Sequence, residues 1–518
     1  MKRKLVSLFV TFGMAITLLA GCGSNSDSSG QTSLPASEEA SDQTNTNPDE
    51  VVVRFMCFGT VPTDLQLVED AINEITIPEI NVKVTYESIS ASNYGTQLAL
   101  DMTSGEKVDV FFNFDFVNSV DNNQLLDLTD YLDTYGQELV AAVSEDWLKA
   151  TTVNGRVYGL PIVNGKAASL MLAMRTDILE KYDLVDLFNS IEVSENILDD
   201  NAAHTLEVMT QIFEVVKENE PELIGLCAGG AGTMNLEKMV GYDSLSDGNG
   251  VLMNDGGWTV ENFYKTDEFK AVITQLNNWY KAGYIKSDIT TDTESYTSYA
   301  TAGRMFALML ESDETMGISL QRDSGYEYST VRLMTPSVDS SKLNGQTWCV
   351  SSTTDVPEAA VKFLNLAYSN ADIANLMCYG VEGVHWEYQE DGTIDYVEGL
   401  DATTSGYSMS TYWEMPNTLI AACLSGNGAD YNQKLLEQNK TVKASKALGF
   451  SFDSSKVETE LTAISAVGSQ NMTGFLTGGG NLTEYDTFIE KLQKAGIDDV
   501  IAEKQRQVDE WRADNGVE

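Results

Sequence analysis

The sequence contains few of the side chains that enzymes use for nucleophilic, metal-assisted or phosphoryl-transfer chemistry. Its 518 residues include two histidines, His204 and His385, and none of the patterns Gly-x-Ser-x-Gly, His-Glu-x-x-His or Walker A. The five cysteines after residue 22 lie far apart without a Cys-x-x-Cys pair, which predicts neither a disulfide framework nor a zinc site. Glycoside hydrolysis needs only two carboxylates, so with 78 acidic residues it stays open. We predict a protein that is not an enzyme, without cofactor or metal.

Residue types that suit non-covalent binding of a polar solute stand at the ends of predicted strands. Asn113 and Asp115 follow an apolar run at 108–112, and Phe58 and Thr60 stand at the end of the first apolar run of the body. Ligands of parallel sheets bind where loops leave the carboxyl ends of the strands, so we expect these four side chains to face a ligand. A loop-capping role for Asn113 and Asp115, and a core position for Phe58, are the alternatives.

The elements that position these residues alternate between strand and helix. Apolar runs at 51–58 and 108–112 and an alternating stretch at 80–86 predict three strands. Helical spacing of apolar residues at 65–75 and 94–102 predicts the two helices between them. This order indicates a parallel sheet with right-handed crossovers.

Later segments continue the mixed pattern. The apolar patterns predict strands at 170–173, 303–310 and 348–351, and helices at 205–219, 269–280, 357–368 and, beyond residue 445, three more. We expect Trp279 and Trp511 to be core residues, because both fall on the apolar faces of predicted helices.

The N-terminus carries an export and anchoring signal. Three basic residues, 2–4, precede an apolar stretch at 5–19 that is too short to span a bilayer. Leu-Ala-Gly followed directly by Cys22 resembles a bacterial lipobox, whose cysteine thiol takes a diacylglycerol and becomes the mature N-terminus. We predict a lipoprotein signal peptide at 1–21 and, because 23–50 are almost all small and polar, a lipidated disordered tether at 22–50.

The charge of the chain restricts its partners. The formal net charge is −46, which disfavours binding to phosphate backbones and anionic headgroups. We therefore expect no nucleic-acid partner, and contact with the membrane only through the N-terminal lipid. The expected location is the outer face of the cell membrane of a Gram-positive bacterium.

Motifs in the body occur in an order that resembles a known family. These motifs are Ser104-Gly105 before Val-Asp-Val-Phe at 108–111, Tyr-Gly-Leu-Pro at 158–161, Ala-Gly-Arg-Met-Phe at 302–306, Trp348, and Pro-Glu-Ala-Ala at 357–360. Together they resemble the family 1 extracellular solute-binding proteins of ABC sugar importers. The segments 445–453 and 503–511 look like the extra C-terminal domain of a lipoprotein subgroup associated with oligosaccharide uptake.

The resemblance implies a fold and a division into domains. The fold would be α/β, two-lobed and periplasmic-binding-protein-like (Venus-flytrap, type II), with a small, mostly helical C-terminal extension. We place the chain crossings near 162–165, 347–351 and 379–382. The expected domains are 51–164 plus 348–380 for the N-terminal lobe, 165–347 plus 381–444 for the C-terminal lobe, and 445–518 for the extension.

The resemblance also suggests which residues contact a sugar. A sugar presents hydroxyl groups at its edges and C–H groups on its faces, so a site needs carboxylates or amides together with aromatic rings. We expect Trp348, Trp386 and Trp258 to provide rings and Glu311 and Glu382 to accept hydrogen bonds. Core packing is the alternative for Trp348 and a surface turn for Trp258, and Trp413 is a lesser candidate.

The expected function follows from these points taken together. The protein would be the extracellular, lipid-anchored solute-binding component of an ABC transporter, acting as a monomer. It would bind a carbohydrate, in particular an oligosaccharide, in the cleft between its lobes and deliver it to the membrane permease subunits. A surface glycan-binding protein without a transport role and a glycoside hydrolase are the alternatives.

Overall fold

The computed structural model describes residues 47–57, 61–229, 232–254 and 256–517. Two sheets form the centres of two lobes. Their strands, in chain order, are β1 Asp49–Cys57, β2 Val82–Ser90, β3 Val110–Asn113, β4 Leu160–Pro161, β5 Ser169–Arg175, β6 Ile224–Cys227, β7 Met305–Ser312, β8 Tyr328–Arg332 and β9 Thr347–Val350.

The first lobe contains a five-stranded sheet in the order β2-β1-β3-β9-β4. Strands β2 and β3 run parallel to β1, whereas β9 is antiparallel to both β3 and β4. Helices cover this sheet, so β1 is buried from Val51 to Cys57 and reads as a continuous apolar run. Arg54 interrupts that run and is neutralised by ion pairs with Glu87 and Asp101. The predicted order of three strands and two helices is confirmed.

The second lobe contains a four-stranded sheet in the order β8-β5-β7-β6. Strand β7 pairs antiparallel with β5 and parallel with β6, and β8 pairs antiparallel with β5. All seven residues of β5 are buried. The sheet therefore lies within its lobe, as the apolar runs at 170–173 and 303–310 predict.

Helices surround both sheets. They are α1 Leu65–Ile80, α2 Tyr94–Ser104, α3 Phe116–Asp121, α4 Thr129–Tyr135, α5 Gln137–Val143, α6 Glu145–Leu148, α7 Thr176–Lys181, α8 Val185–Phe188, α9 Asp200–Asn219, α10 Asp267–Ala282, α11 Tyr296–Thr301, α12 Met316–Ser324, α13 Ser340–Asn344, α14 Pro357–Ser369, α15 Ala371–Tyr379, α16 Tyr431–Asn439, α17 Glu458–Thr477, α18 Tyr485–Lys494 and α19 Ile497–Asn515. Helix α10 shows how local sequence sets such bounds: the Thr266 hydroxyl accepts from the Phe269 amide at its start, and Gly283, with φ 79°, ends it.

Shorter elements complete the chain. Small strands pair as Thr152–Val153 with Arg156–Val157, Gly250–Met253 with Tyr242–Asp243 and Glu261–Asn262, Ser337–Val338 with Lys443–Ala444, and Trp386–Tyr388 with Ile394–Tyr396. The 3-10 helices are Lys149–Thr151, Leu236–Met239, Phe263–Lys265, Met409–Glu414 and Leu482–Glu484. Within the described ranges, no helix is both long and apolar enough to cross a membrane.

The segment 381–444 belongs largely to the first lobe, and its predicted assignment to the second lobe is wrong. Its buried apolar residues between 386 and 435 form one core cluster with β1, β3 and β9. Hydrogen bonds fix the segment there, since Trp348 Nε1 donates to Glu414 O at 2.8 Å and Asn417 Nδ2 donates to Tyr368 O at 2.8 Å. The large apolar surface of this segment must be buried, and the first sheet supplies the matching surface.

The chain accordingly passes between the lobes later than 379–382. It enters the second lobe after α16, where Lys443 and Ala444 pair with the strand Ser337–Val338. Here it runs beside the first crossing: Asn439 Nδ2 donates to Asn164 O and its Oδ1 accepts from the Lys166 amide, both at 2.8 Å. The first and last crossings are thus bonded to each other.

The C-terminal extension packs into the core of the second lobe. Apolar side chains of α17, α18 and α19 lie in one buried cluster with α9, α10 and β7. Close approach to α10 requires glycine at the end of α17, because a Cβ on Gly478 would lie 2.3 Å from Leu276 O. Buried Lys504 of α19 donates to Asp247 Oδ1 at 2.7 Å and to Gly250 O at 3.1 Å. The extension is therefore an integral part of the second lobe.

Trp279 offers a test of second-lobe packing. Its side chain is 1% exposed, its ring contacts Phe213 edge-on at 5.4 Å, and its Nε1 donates to Thr210 Oγ1 at 2.8 Å. We expect Trp279→Ala to lower the free energy of unfolding by about 3–5 kcal/mol, because it leaves a cavity and an unpaired hydroxyl. Urea unfolding measures this loss. The control Tyr388→Ala, at a residue 52% exposed, is expected to change stability by less than about 0.5 kcal/mol, and equal effects would contradict the prediction.

Glu414 places a carboxyl group in the core of the first lobe. The residue is 0% exposed, and the backbone of Met56 compensates only partly for the burial of its carboxyl group. Burial disfavours the charged form and raises the pKa of Glu414 from 4.5 to about 9. The native protein therefore keeps a proton on Glu414 that the unfolded chain releases above pH 4.5.

This difference makes stability depend on pH with a definite sign. Between pH 4.5 and 9 the unfolded state binds fewer protons, so the contribution of Glu414 to stability falls as pH rises, by up to about 1.4 kcal/mol per pH unit. Glu414→Gln cannot ionise, so its unfolding free energy is expected to decline less steeply than that of the wild type in urea unfolding at pH 5 to about 9. Glu382→Gln, at an exposed residue, serves as the control. Parallel pH profiles for wild type and Glu414→Gln would overturn the assignment.

Candidate functional site

The edges of the two sheets meet where the chain crosses between the lobes. In the first sheet, the carboxyl end of β3 lies beside the start of β9 and the end of β4, through the pairs Asn113–Thr347 and Thr347–Pro161. In the second sheet, the end of β7 pairs with the start of β5 through Ser312 and Ser169. Residues 162–168 join these two edges directly. The loops that follow β3 and β7 therefore lie beside the same crossing, which is where ligands of open α/β sheets bind.

An aromatic surface lies on the first-lobe side of this crossing. Phe114 follows β3 and remains 46% exposed, with its ring centroid 4.6 Å from Phe112 and 6.4 Å from Trp413. Trp413 is half-buried against the first-lobe core, and its neighbour Tyr412 is 36% exposed. Exposed rings fixed by buried ones provide flat apolar faces suited to the C–H faces of a ligand.

A cavity of about 170 Å³ lies next to this surface and is lined by both lobes. Tyr412 and Trp413 come from the first lobe, Asp313 from the loop after β7, and Asn164 from the crossing. Tyr431 Oη donates to Asp313 Oδ2 at 2.6 Å across this cavity, and so links α16 with the second lobe. Hydrogen bonds that join both lobes at a cleft are those that a closing motion would make or break.

The same cavity contains acceptors that the protein leaves without partners. Within the described part of the chain, the buried oxygens Asn164 Oδ1 and Asn427 Oδ1 accept no hydrogen bond. An unpaired buried acceptor is costly, which makes it a good position for a ligand hydroxyl or a water molecule. The cavity combines unpaired acceptors with aromatic walls.

Charged groups line the second-lobe side of the cleft. Glu311, at the end of β7, forms an ion pair with Lys342 at 3.0 Å on the wall of a further cavity of about 510 Å³. Arg332, at the end of β8, donates to Ala167 O at 2.7 Å and to Ser169 Oγ at 2.8 Å, which fixes the end of the crossing. These contacts orient the polar groups before a ligand arrives.

Lys166 is a buried lysine within the crossing itself. It is 3% exposed, and burial together with the charge of Lys342 lowers its pKa from 10.5 to about 7. Its amide is held by Asn439 Oδ1 of the last crossing. The segment that joins the lobes thus carries a titratable group with almost no access to solvent.

Two of the residues predicted to bind ligand lie at this cleft. Asp115 is exposed directly after Phe114, where its carboxylate accepts from Asn118 Nδ2 at 2.8 and 3.1 Å. Glu311 keeps a side chain that is 43% exposed beside the crossing. Phe58, Thr60 and the predicted lipidation site Cys22 lie outside the described residues. The roles of these residues remain predictions.

Three other predictions are wrong because the side chains are buried and hydrogen-bonded inside the first lobe. Asn113 is 5% exposed, accepts from the Asp115 amide and donates to Ser119 Oγ, which is a loop-capping role. Trp348 is 0% exposed and donates to Glu414 O. Trp386 is 3% exposed and donates to Gly380 O at 2.9 Å. A Gly-rich loop does not leave the Trp386 ring exposed, because the loop folds over it.

The last two predicted residues lie away from the cavity at the crossing. Trp258 packs at 6.3 Å against Trp511 of α19, with the Arg512 guanidinium 4.5 Å from its ring centroid, so it helps to attach the extension. Glu382 is exposed in the first-lobe loop that precedes Trp386 and does not line that cavity. Neither residue has the surroundings expected of a cleft residue.

Sequence reasoning missed Phe114, Tyr412, Asp313 and Tyr431. Phe114 stands between Asn113 and Asp115, so its position after β3 indicates the cleft, but its apolar type favours a core position. Asp313 follows the end of β7 in the same way as Asp115 follows β3. Tyr412 and Tyr431 belong to the segment assigned to the wrong lobe, and no local pattern brings them to the crossing.

Comparisons with known proteins agree with this architecture. The family described as "Bacterial extracellular solute-binding protein" matches residues 68–374, and a domain of unknown function (DUF3502) matches residues 446–513. A protein of Streptococcus pneumoniae serotype 4 (strain ATCC BAA-334 / TIGR4), described as a carbohydrate ABC transporter substrate-binding protein, is 25% identical over 487 residues, which cover 89% of this chain and 91% of that protein.

Solved structures show the same fold. The N-glycan transport solute binding protein (NgtS) from Streptococcus pneumoniae superposes with a TM-score of 0.74 at 21% identity, covering 89% of this chain and 98% of that chain. Its complex with Man5GlcNAc gives a TM-score of 0.64 at 22% identity, with coverage of 90% and 99%. The predicted α/β two-lobed fold with a helical C-terminal part is confirmed. Because the family match covers more than half of the 518 residues, the chain belongs to the bacterial extracellular solute-binding protein family.

Proposed function

We propose that this protein binds an oligosaccharide in the cleft between its lobes and delivers it to the membrane subunits of an ABC importer. The observation that carries the proposal is the pairing of an exposed aromatic surface, Phe114 with Trp413, with the cavity at the chain crossing. The similar proteins described as a carbohydrate substrate-binding protein and an N-glycan transport protein support the same ligand class.

The chemistry of this cleft suits a sugar. Exposed rings accommodate C–H faces, while Asn164 Oδ1 and Asn427 Oδ1 can accept hydrogen bonds from hydroxyl groups. A sugar that pairs with these buried acceptors gains affinity, and a solute without donors leaves them unpaired. This asymmetry would select polyhydroxylated ligands over apolar ones of equal size.

The same arrangement supports the proposal of a binding role without catalysis. The carboxylates at the crossing are already engaged, Asp313 by Tyr431 and Thr315 and Glu311 by Lys342, so each orients or accepts hydrogen bonds. Closure around a ligand that contacts both lobes, by a monomer that then docks on the permease, is the proposed working cycle. Glycoside hydrolysis would instead release shorter sugars during incubation.

We also propose that Cys22 carries a lipid that holds the protein at the outer face of the cell membrane. The support is the Leu-Ala-Gly-Cys sequence at residues 19–22 and the polar segment that follows it. An anchored binding protein stays close to its permease, which raises its effective concentration there.

Ligand screening tests the proposed function directly. Manno-, fructo-, malto- and xylo-oligosaccharides, together with amino acids and short peptides, would be compared by thermal shift and titration calorimetry. A solute that binds only the native state must raise the melting temperature. At a concentration 100 times its Kd, it raises the free energy of unfolding by about 2.7 kcal/mol. Shifts with peptides but with no carbohydrate would reject the ligand class, and sugar cleavage during incubation would reject a purely binding role.

Phe114→Ala is expected to weaken carbohydrate binding while leaving the fold intact. Removal of an exposed ring loses contact with the ligand, and we expect a Kd about tenfold higher, equivalent to about 1.4 kcal/mol. Stability should change by less than about 0.5 kcal/mol, because the ring is 46% exposed. Titration calorimetry gives the Kd. Tyr388→Ala is the matched control, an exposed aromatic residue of the first lobe whose ring contacts Trp386 and not the cavity-lining Trp413. A similar loss in both variants would remove Phe114 from the site.

Cys22→Ser is expected to release the protein from cells. Serine offers no thiol for the diacylglycerol, so the variant should appear in the culture medium while the wild type sediments with membranes. Fractionation with metabolic fatty-acid labelling measures both properties. A variant that stays with the membrane fraction would show that another contact anchors the protein.

A further inference from the structure

A cavity of about 1030 Å³ lies between the first lobe and the C-terminal extension. Helix α3 and the small hairpin 152–157 form its first-lobe wall, and residues 448–453 with α19 form the opposite wall. This volume is about twice that of the cavity beside Glu311. It reaches the upper limit of usual ligand pockets, about 300–1,000 Å³.

The large cavity adjoins the second-lobe side of the cleft, where Glu311 lies. Helix α3 begins two residues after Phe114, and its Val117 lines the large cavity. Residues 444–446 line both this cavity and the one beside Glu311. A ligand that extends from the crossing past Glu311 and along residues 444–446 would therefore reach the extension.

The extension presents a fixed aromatic ring to this cavity. Trp511 of α19 is half-buried, with its ring centroid 6.2 Å from Phe450 and 6.3 Å from Trp258. Gln507, one turn earlier, donates to Asp453 O at 2.8 Å and accepts from the Asp453 amide at 2.9 Å. The wall is thus ordered by its own contacts and does not depend on a ligand for its shape.

A carboxylate faces the extension from the first lobe. Asp121, at the end of α3, is exposed to the cavity, and burial together with the nearby charges of Asp453 and Glu458 raises its pKa. Asp121 and Asp453 line the same cavity from its two opposite walls. A ring on one wall and a carboxylate on the other match the faces and edges of a sugar ring.

The charges of the residues that line the large cavity determine which class of sugar it favours. Five carboxylates line the cavity against three basic side chains, and Arg506 is engaged by Glu503 and Glu510. An acidic sugar would bring further negative charge to this wall, whereas hydroxyl groups of an uncharged sugar can donate to the carboxylates. The lining therefore favours an uncharged ligand.

We propose that residues 446–513, the domain of unknown function, form one wall of a second subsite in which Trp511 and Asp121 bind the distal end of a long, uncharged oligosaccharide. This inference rests on the proposed function, since it extends the same cleft. It gives the extension a role in selecting chain length. Short sugars occupy the crossing, and longer ones also contact the extension.

Calorimetry with sugars of two lengths tests the subsite. The probes are Man1GlcNAc against Man5GlcNAc, and maltose against maltohexaose, with wild type, Trp511→Ala and Asp121→Ala. For each series that the wild type binds, both variants should lose at least tenfold in affinity for the longer sugar and stay within twofold for the shorter one. Oligoalginate of similar length should bind the wild type at least tenfold more weakly than the longer uncharged sugar.

Two controls separate a subsite from a folding defect. Trp511→Phe keeps an aromatic ring and should recover most of the affinity for the longer sugar, while thermal melting monitors the fold. Asp133→Ala, at an exposed aspartate of α4 that does not line the cavity, should bind both lengths as the wild type does.

The outcomes distinguish the two claims. If the ligand screen identifies another oligosaccharide class, short and long members of that class serve as the probes. If the wild type binds no oligosaccharide in that screen, the proposed function fails and the subsite with it. If the wild type binds and the variants retain its affinity for the longer sugar, or lose affinity equally for both lengths, the subsite alone is rejected. Because Asp121 is on the first lobe, its variant tests the subsite even if Trp511→Ala destabilises the extension.

Discussion

Strand β9 enters the first sheet from the second lobe and lies between β3 and β4. This insertion determines where the loops of the two lobes meet. Its pairing of Thr347 with Asn113 and with Pro161 brings an incoming strand and an outgoing strand to the sheet edge at which β3 ends. The crossing that leaves β4 reaches β5 within eight residues, so the second sheet must present its own edge there. The loops after β3 and β7 are thereby placed beside the hinge. Any rearrangement of the lobes changes the distance between those loops, which makes this edge suited to enclosing a ligand.

The apolar cover of the first sheet explains which aromatic residues are available to a ligand. Trp348 and Trp386 each bury a large ring and satisfy the indole N–H with a backbone carbonyl, which is the stable state of a tryptophan inside a protein. The segment 381–444, which contains Trp386, supplies this cover, and Trp413 of its 3-10 helix Met409–Glu414 lies beside Phe114. The exposed rings of Phe114 and Tyr412 are therefore supported by a packed core. Support of this kind holds a binding surface in position without contributing to the contact itself.

Packing of the extension against the second lobe links its position to that of the lobe. The extension is attached to the second lobe by the α17–α10 contact, by the buried ion pair of Lys504 with Asp247 and by a shared apolar core. Because these contacts are extensive, the extension and the second lobe form one packed unit. In the proposed closure, α19 would move with the second lobe toward α3. The width of the space between α19 and α3 would then depend on closure.

The sequence by itself was enough to predict the export and anchoring signals at the N-terminus and the alternation of strands and helices in the body. Residues 1–50 differ so strongly in composition from the body that export and tethering can be predicted without a structure, and the strands at 51–58 and 108–112 are evident because burial on both faces demands continuous apolar runs. Position after a strand was enough to predict that Asp115 and Glu311 lie beside the crossing, since the direction of a strand fixes where its loop emerges, while their binding role stays a prediction. The lobe to which residues 381–444 belong, and with it the burial of Trp386 and the exposure of Tyr412, was decided by tertiary structure alone. A local pattern shows that a surface is apolar, but which distant surface covers it depends on the free energy of packing across the whole chain.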